Sequence, residues 1–235
     1  MASGGATAFA SGIVVSYLGA GVQSQTGSQY HVENFDSGLS GGTTTFGNSG
    51  ITGTYGGSYK INPADEYGGA GGTGDYIVQT NGQSAGAYTL SLSTGVNYFG
   101  FWLSAQDAGN ELQIYNGTTL LYTFTPVQLD AALGNCTGGN PYCGNPNANF
   151  PNANNGQQYA FVQFYDPSGT FNNLVFTELN NGNGYETDNH TVAVLNAPPS
   201  GTVLGATPEP SSLALLGTGL LAIAGTMRRR FAANR

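Results

Sequence analysis

The sequence predicts an all-β protein, a β-sandwich or jelly roll, and three observations carry that prediction. Glycine fills 38 of 235 positions, while 14 Tyr and 12 Phe outnumber the 5 basic and 13 acidic residues together. The long-chain residues that favour helices are scarce, and the aromatic residues that suit a pleated surface are common. Ten short apolar or aromatic runs are separated by polar turns, with Asn-Gly pairs at 116–117 and 181–182.

Taken in order, the first strands are expected at "IVVSYL" (13–18) and "QYHVENF" (29–35), then at the β-branched "DYIVQT" (75–80). "AYTLSLS" (87–93) alternates large and small polar side chains, the period of a half-buried strand. In "NYFGFWL" (97–103), alternation places Tyr98, Gly100 and Trp102 on one face and Phe99, Phe101 and Leu103 on the other. "ELQIYN" (111–116) and "LLYTFT" (120–125) flank an Asn-Gly turn. "YAFVQFY" (159–165), "FNNLVFTEL" (171–179) and "YETDNHTVAVL" (185–195) complete the series. One helix is expected, in "TPVQLDAALG", where Pro126 can open it and Gly134 stop it. The Ser/Thr/Gly-rich 37–58 and the Gly/Asn/Pro-rich 134–157 are read as surface loops. "APPSGTVLGATPEP" has linker composition. The organisation expected is therefore a segment 1–11, a sandwich domain 12–196, a linker 197–206 and a distinct tail 207–235.

Charge narrows the function. The formal net charge is −8, but the tail from Thr207 carries four of the arginines and one glutamate, leaving the body twelve acids against Lys60, or −11. Such a surface has nothing with which to neutralise phosphates, which excludes nucleic acid as a partner. Cys136 and Cys143, in "GNCTGGNPYCGN", are expected to pair with each other. Zinc would need two more ligands, and His31 and His190 lie far off without metal-type spacing. A disulfide closing so short a loop is worth about 2–3 kcal/mol and implies an oxidising compartment.

The tail differs from everything before it. In "ATPEPSSLALLGTGLLAIAGTMRRRF", the stiff Pro208-Glu209-Pro210 is followed by an apolar run, Leu213 to Met227, and then Arg228, Arg229 and Arg230. Fifteen helical residues reach about 22 Å, short of a hydrocarbon core of roughly 30 Å, and the arginines would stay on the cytoplasmic side. The apolar residues run continuously and not along one face, so this reads as a short hydrophobic helix and a transient membrane anchor, not an amphipathic helix of the domain. The arrangement closely resembles the PEP-CTERM sorting signal of Gram-negative bacteria. That resemblance implies export, a precursor held transiently in the inner membrane, and processing near Pro208–Pro210 by an exosortase. "MASGGATAFASGIVVSYLGAG" has no basic n-region and no uninterrupted apolar core, so the expectation is that an export signal lies upstream or has been removed.

The body carries a second resemblance. "VNYFGFWLSAQDAGNELQIYNG" (96–117), "YAFVQFY" (159–165) and "GYETDNHTVAVL" (184–195) resemble a recurrent ectodomain of exosortase-dependent surface proteins, over roughly Ser28 to Leu195. This implies a β-rich surface domain and no particular activity.

Candidate chemistry is sparse. Two histidines and no Gly-x-Ser-x-Gly leave nucleophilic triads without support. "ETDNH" is similar to the Glu-x-Asp-x-x-Glu of some jelly-roll glucanases, with Glu186 and Asp188 about 7 Å apart on one strand face, but Thr191 stands where the third carboxylate belongs. No enzymatic activity is expected. The same oxygens suit calcium: Glu186, Asp188 and Asn189, joined by Glu33 or Asp36 if first and last strands adjoin, would form a structural Ca²⁺ site. Asp107, Asn110 and Glu111 form a second oxygen-rich turn. The alternative is that all of these are ordinary turn and strand-edge groups. Trp102 and Tyr98 are candidate glycan contacts, against the alternative that Trp102 is core. The reading is an exported structural or adhesive protein of the cell envelope or an extracellular polysaccharide matrix. The alternatives are a carbohydrate-binding module for exopolysaccharide and, further off, a glycoside hydrolase.

Overall fold

The structure is a computed structural model and describes residues 12–79 and 86–204. The chain divides between Leu204 and Gly205, and the sorting-signal residues Pro208, Glu209, Pro210 and Arg228–Arg230 lie outside the described residues. Two antiparallel sheets face each other. The first runs β14 (Thr202–Val203), β1 (Val14–Tyr17), β11 (Ala160–Tyr165), β8 (Tyr98–Ser104), β13 (Tyr185–Ala193), β6 (Asp75–Gln79), β5 (Lys60–Pro63), with β2 (His31–Glu33) also paired to β13. The second runs β10 (Thr119–Phe124), β9 (Asn110–Asn116), β12 (Phe171–Glu178), β7 (Tyr88–Val96), β4 (Thr52–Gly57), β3 (Thr43–Thr45). The all-β sandwich expected from the alternation is what forms.

The core follows from that alternation. Phe99, Phe101 and Leu103 of β8 point between the sheets, where they meet Leu90 and Tyr88 of β7, Leu112 and Ile114 of β9, and Leu174 and Phe176 of β12, all buried. Phe176 stacks on Tyr88 with centroids 4.5 Å apart and on the His190 ring at 5.2 Å. The helix α1 (Pro126–Leu133) begins with proline and ends at Gly134, whose N–H donates to the Asp130 carbonyl, and it tucks Leu129 and Leu133 into the same core.

Two expectations are corrected and a third is refined. The region 37–58, expected as a loop, contains β3 and β4. Its glycines hid a strand, because a Cβ on Gly53 would come within 2.7 Å of the Phe46 ring and 2.8 Å of Leu90, so the sheet closes there only with glycine. Residues 197–206, expected as a linker, supply an edge strand: β14 pairs with β1, Leu204 is buried, and the Ser200 carbonyl accepts Nε2 of both Gln25 and Gln163, each at 2.8 Å. The 134–157 region is on the surface as expected, but it is a hydrogen-bonded cap over the outer face of the first sheet. The Glu66 carbonyl accepts Asn145 Nδ2, Asn154 Nδ2 and Tyr159 Oη, and Asn147 and Asn149 donate to the Gly69 and Gly72 carbonyls. The cap also carries the expected disulfide, Cys136–Cys143, with Cα atoms 5.4 Å apart. Among the described residues no helix is long and apolar enough to cross a membrane.

Candidate functional site

The outer face of β8 and β13 is where the sequence-selected residues collect. Glu186 pairs with Ser104 and Asp188 with Trp102 across the ladder, so these four side chains share one face, beneath or beside the cap. Trp102 is fully buried against Leu18, Tyr159 and Phe161. Tyr98 is likewise buried, its hydroxyl donating to Gln163 Oε1 at 2.9 Å. Neither ring is available to a glycan. The correction has a simple cause: residues distant in the chain cover what would be the solvent face of the sheet, Leu18 and Tyr159 packing in a second small core with Trp102, and Tyr30 packing edge-on against Tyr98.

The five residues selected for calcium do not assemble. Asp188 and Asn189 sit at a bulge, where Asn189 takes φ 49 and the register shifts between Asp188 and Thr191. The Asp188 carboxylate accepts the backbone N–H of Ala70 and of Asn189, each at 2.6 Å. Glu33 accepts the Phe35 N–H at 2.6 Å and the Thr44 hydroxyl. Asp36 accepts the Asp75 N–H at 2.8 Å and Asn34 Nδ2 at 2.7 Å. Asn189 turns its amide away to the Gln23 carbonyl. Like charges in proximity need either a cation or donors, and here donors do the work. Burial still raises Asp188 to about 7, opposed by the two N–H groups and reinforced by Asp36 and Glu33. Among the described residues no three His, Cys, Asp or Glu side chains converge as a metal site.

Glu186 leaves this group and faces a cleft of about 430 Å³ formed with Tyr67, Asp107, Gln157, Asn183 and the Gly182–Gly184 turn. Burial raises Glu186 to about 8. Its own backbone N–H opposes the shift, and Asp107, Asp65 and Glu178 add to it. The cleft floor is built by the second oxygen-rich turn. Asn110 donates Nδ2 to Glu178 Oε2 at 2.7 Å and to the Gly184 carbonyl at 3.2 Å, tying β9 and β12 to the Gly184 turn. Asp107 accepts the Gly109 N–H at 2.7 Å. Burial first, then Asp107, pushes Glu178 up to about 7. Glu111 is outside the cleft lining. Tyr67 and Gln157 were invisible to sequence reasoning because each lies in an irregular segment far from Glu186, and Asn183, close before it, reads as an ordinary turn residue. The only signal was an aromatic in the turn "DEYGG".

A larger cleft, about 670 Å³, lies in the cap beside the disulfide and is lined by amides and prolines. Asn140 and Asn145 are already committed there to loop carbonyls and N–H groups. Its lining holds no ionisable side chain.

His190 is excluded from any surface role. It is fully buried in the sandwich, with Nδ1 3.0 Å from Tyr55 Oη and Nε2 2.9 Å from Thr187 Oγ1, and burial lowers its pKa to about 3. It is a neutral core side chain.

Comparison with known proteins places one further fact on this chain. Residues 206–230 match the family described as the PEP-CTERM protein-sorting motif. No curated protein and no solved structure matches the chain. The match begins beyond the last strand, so it speaks for the address and not for the sandwich. A chain with this motif is exported, sorted by an exosortase, and destined for the cell surface or extracellular space.

Proposed function

We propose that this exported, exosortase-sorted chain is a non-catalytic structural and adhesive protein of the cell envelope or extracellular matrix, held transiently in the inner membrane of a Gram-negative bacterium before processing. The observation that carries the reading is the sorting motif at 206–230, attached directly behind a sandwich whose last strand ends at Val203. A disulfide-closed cap suits an oxidising exterior. In an exosortase-bearing host, surface-exposed protein should lack Arg228–Arg235, and Glu209→Ala should leave a membrane-retained precursor. Cells lacking the protein should lose cohesion, restored by the wild-type gene and not by Glu209→Ala. Intact mass spectrometry finding the full C-terminus on surface-exposed protein, or undiminished cohesion without the protein, would overturn this.

A second reading, carbohydrate binding, has one observation of its own. The cleft sets the exposed ring of Tyr67 beside two carboxyl groups and two amides, the combination that grips sugar hydroxyls and packs on sugar faces.

A further inference from the structure

We propose that the cleft between Tyr67, Asp107 and Glu186 is a binding site for an amine-bearing sugar, a hexosamine unit whose ammonium group is free. The inference rests on the carbohydrate-binding reading and adds the class of sugar and the residues that select it.

Charge selects the ligand. Both ionisable acids of the lining are carboxylic, Asp65 and Glu178 lie within electrostatic reach of Glu186, and Lys60, the one lysine or arginine among the described residues, lines none of the cleft. An anionic sugar would be repelled there. A neutral one would gain nothing from the acids' charge. An ammonium compensates them, and the cost of charging Glu186 in its buried position is the cost such a cation relieves.

Shape and polarity select a sugar over a bare ion. A volume of about 430 Å³ falls in the range of small-ligand sites and far exceeds an ion. Tyr67 is 46% exposed, and its face can meet both the C–H face of a pyranose and a cation. The side-chain amides of Gln157 and Asn183 line the cleft and make no hydrogen bond among the described residues, so both remain available to hydroxyls.

The walls are also fixed in advance, through Asn110 to the Gly184 carbonyl and through the Leu179 N–H to the Gly109 carbonyl at 2.9 Å, so little ordering is needed on binding.

The test is calorimetric titration of the full chain with three short oligosaccharides, one of glucosamine, its N-acetylated counterpart and one of glucose. The glucosamine oligomer should bind and should weaken as salt is raised. Glu186→Gln, Asp107→Asn and Tyr67→Ala should each weaken it about tenfold or more. Asp75→Asn, which removes a charge outside the cleft, should leave binding unchanged. Equal binding of all three oligomers, lost in the cleft variants, would overturn the ammonium selection and keep the carbohydrate-binding reading. Binding of none would overturn both. Glucosamine binding that survives the cleft variants, or falls as much with Asp75→Asn, would mean attraction to the acidic body and would overturn the site.

Discussion

Thr187 Oγ1 lies 2.9 Å from His190 Nε2 inside the sandwich, although three residues of regular strand would put the two side chains on opposite faces. The bulge at Asn189 takes up the odd residue, and its positive φ of 49 is the conformation that makes the count work. The result is a buried chain of hydroxyls and imidazole, from Tyr88 Oη through Thr187 and His190 to Tyr55 Oη. Asn189→Val should therefore cost about 2 kcal/mol, since a β-branched residue is strained in the left-handed region, and Asn189→Gly should cost less. His190→Ala should cost about 3 kcal/mol by removing a ring stacked on Phe176 and orphaning two hydroxyls. Urea denaturation measures all three.

Stability should depend on pH in two opposed ways. His190, lowered to about 3, binds a proton in the unfolded chain and not in the folded one, so its contribution is full above the unfolded value of about 6.5 and is lost as pH falls towards 3. Glu186 and Asp188, raised to about 8 and about 7, bind protons in the folded chain while the unfolded chain has released them. Stability from these two is full below about pH 4 and is lost as pH rises through 7 and 8. From pH 5 to 8 the two carboxyls should outweigh the single histidine, and the protein should weaken. In the triple variant Glu178→Gln, Glu186→Gln and Asp188→Asn, which also removes the carboxyl pushed up to about 7 at Glu178, the same interval should show stability rising and then levelling. Denaturation midpoints at pH 5, 6.5 and 8 test this, and a wild-type chain that strengthens steadily to pH 8 contradicts it.

Calcium should not shift the melting curve. The carboxylates of Asp188, Glu33 and Asp36 already hold backbone and side-chain donors, so millimolar calcium and chelator should give the same Tm. Asp188→Ala should still destabilise the fold by about 1–3 kcal/mol, because it strips the Ala70 N–H of its acceptor. A Tm that climbs with calcium would return these residues to a metal site.

Reducing Cys136–Cys143 should lower stability by about 2–3 kcal/mol without unfolding the protein. The cap is also tied down by its asparagines at Glu66, Gly69 and Gly72. The single tryptophan reports on this: Trp102, fully buried against Leu18, Phe161 and the Tyr159 that follows the cap, should keep blue-shifted emission after reduction and shift to the red only on denaturation. An immediate red shift on reduction would mean that the disulfide alone holds the cap.

The sequence by itself determined the sandwich, the helix between Pro126 and Gly134, the cysteine pair and the C-terminal address. Each is a local pattern, a period of two, a start and a stop, a short spacing or an ordered triplet of segments, and local patterns survive in one dimension. Strands β3 and β4 escaped because glycine at position 53 marks a loop in sequence and a close approach to Phe46 and Leu90 in space. The candidate site was half legible. Glu186 and Asp107 stood out by their chemistry, but only the tertiary structure brought Glu186 to Asp107 and Tyr67 and the Ala70 N–H to Asp188. Trp102 was decided by Leu18 and Tyr159, and Tyr98 by Tyr30. Whether a sheet face meets solvent depends on what a segment distant in the chain lays over it, and no periodicity within the strand carries that information.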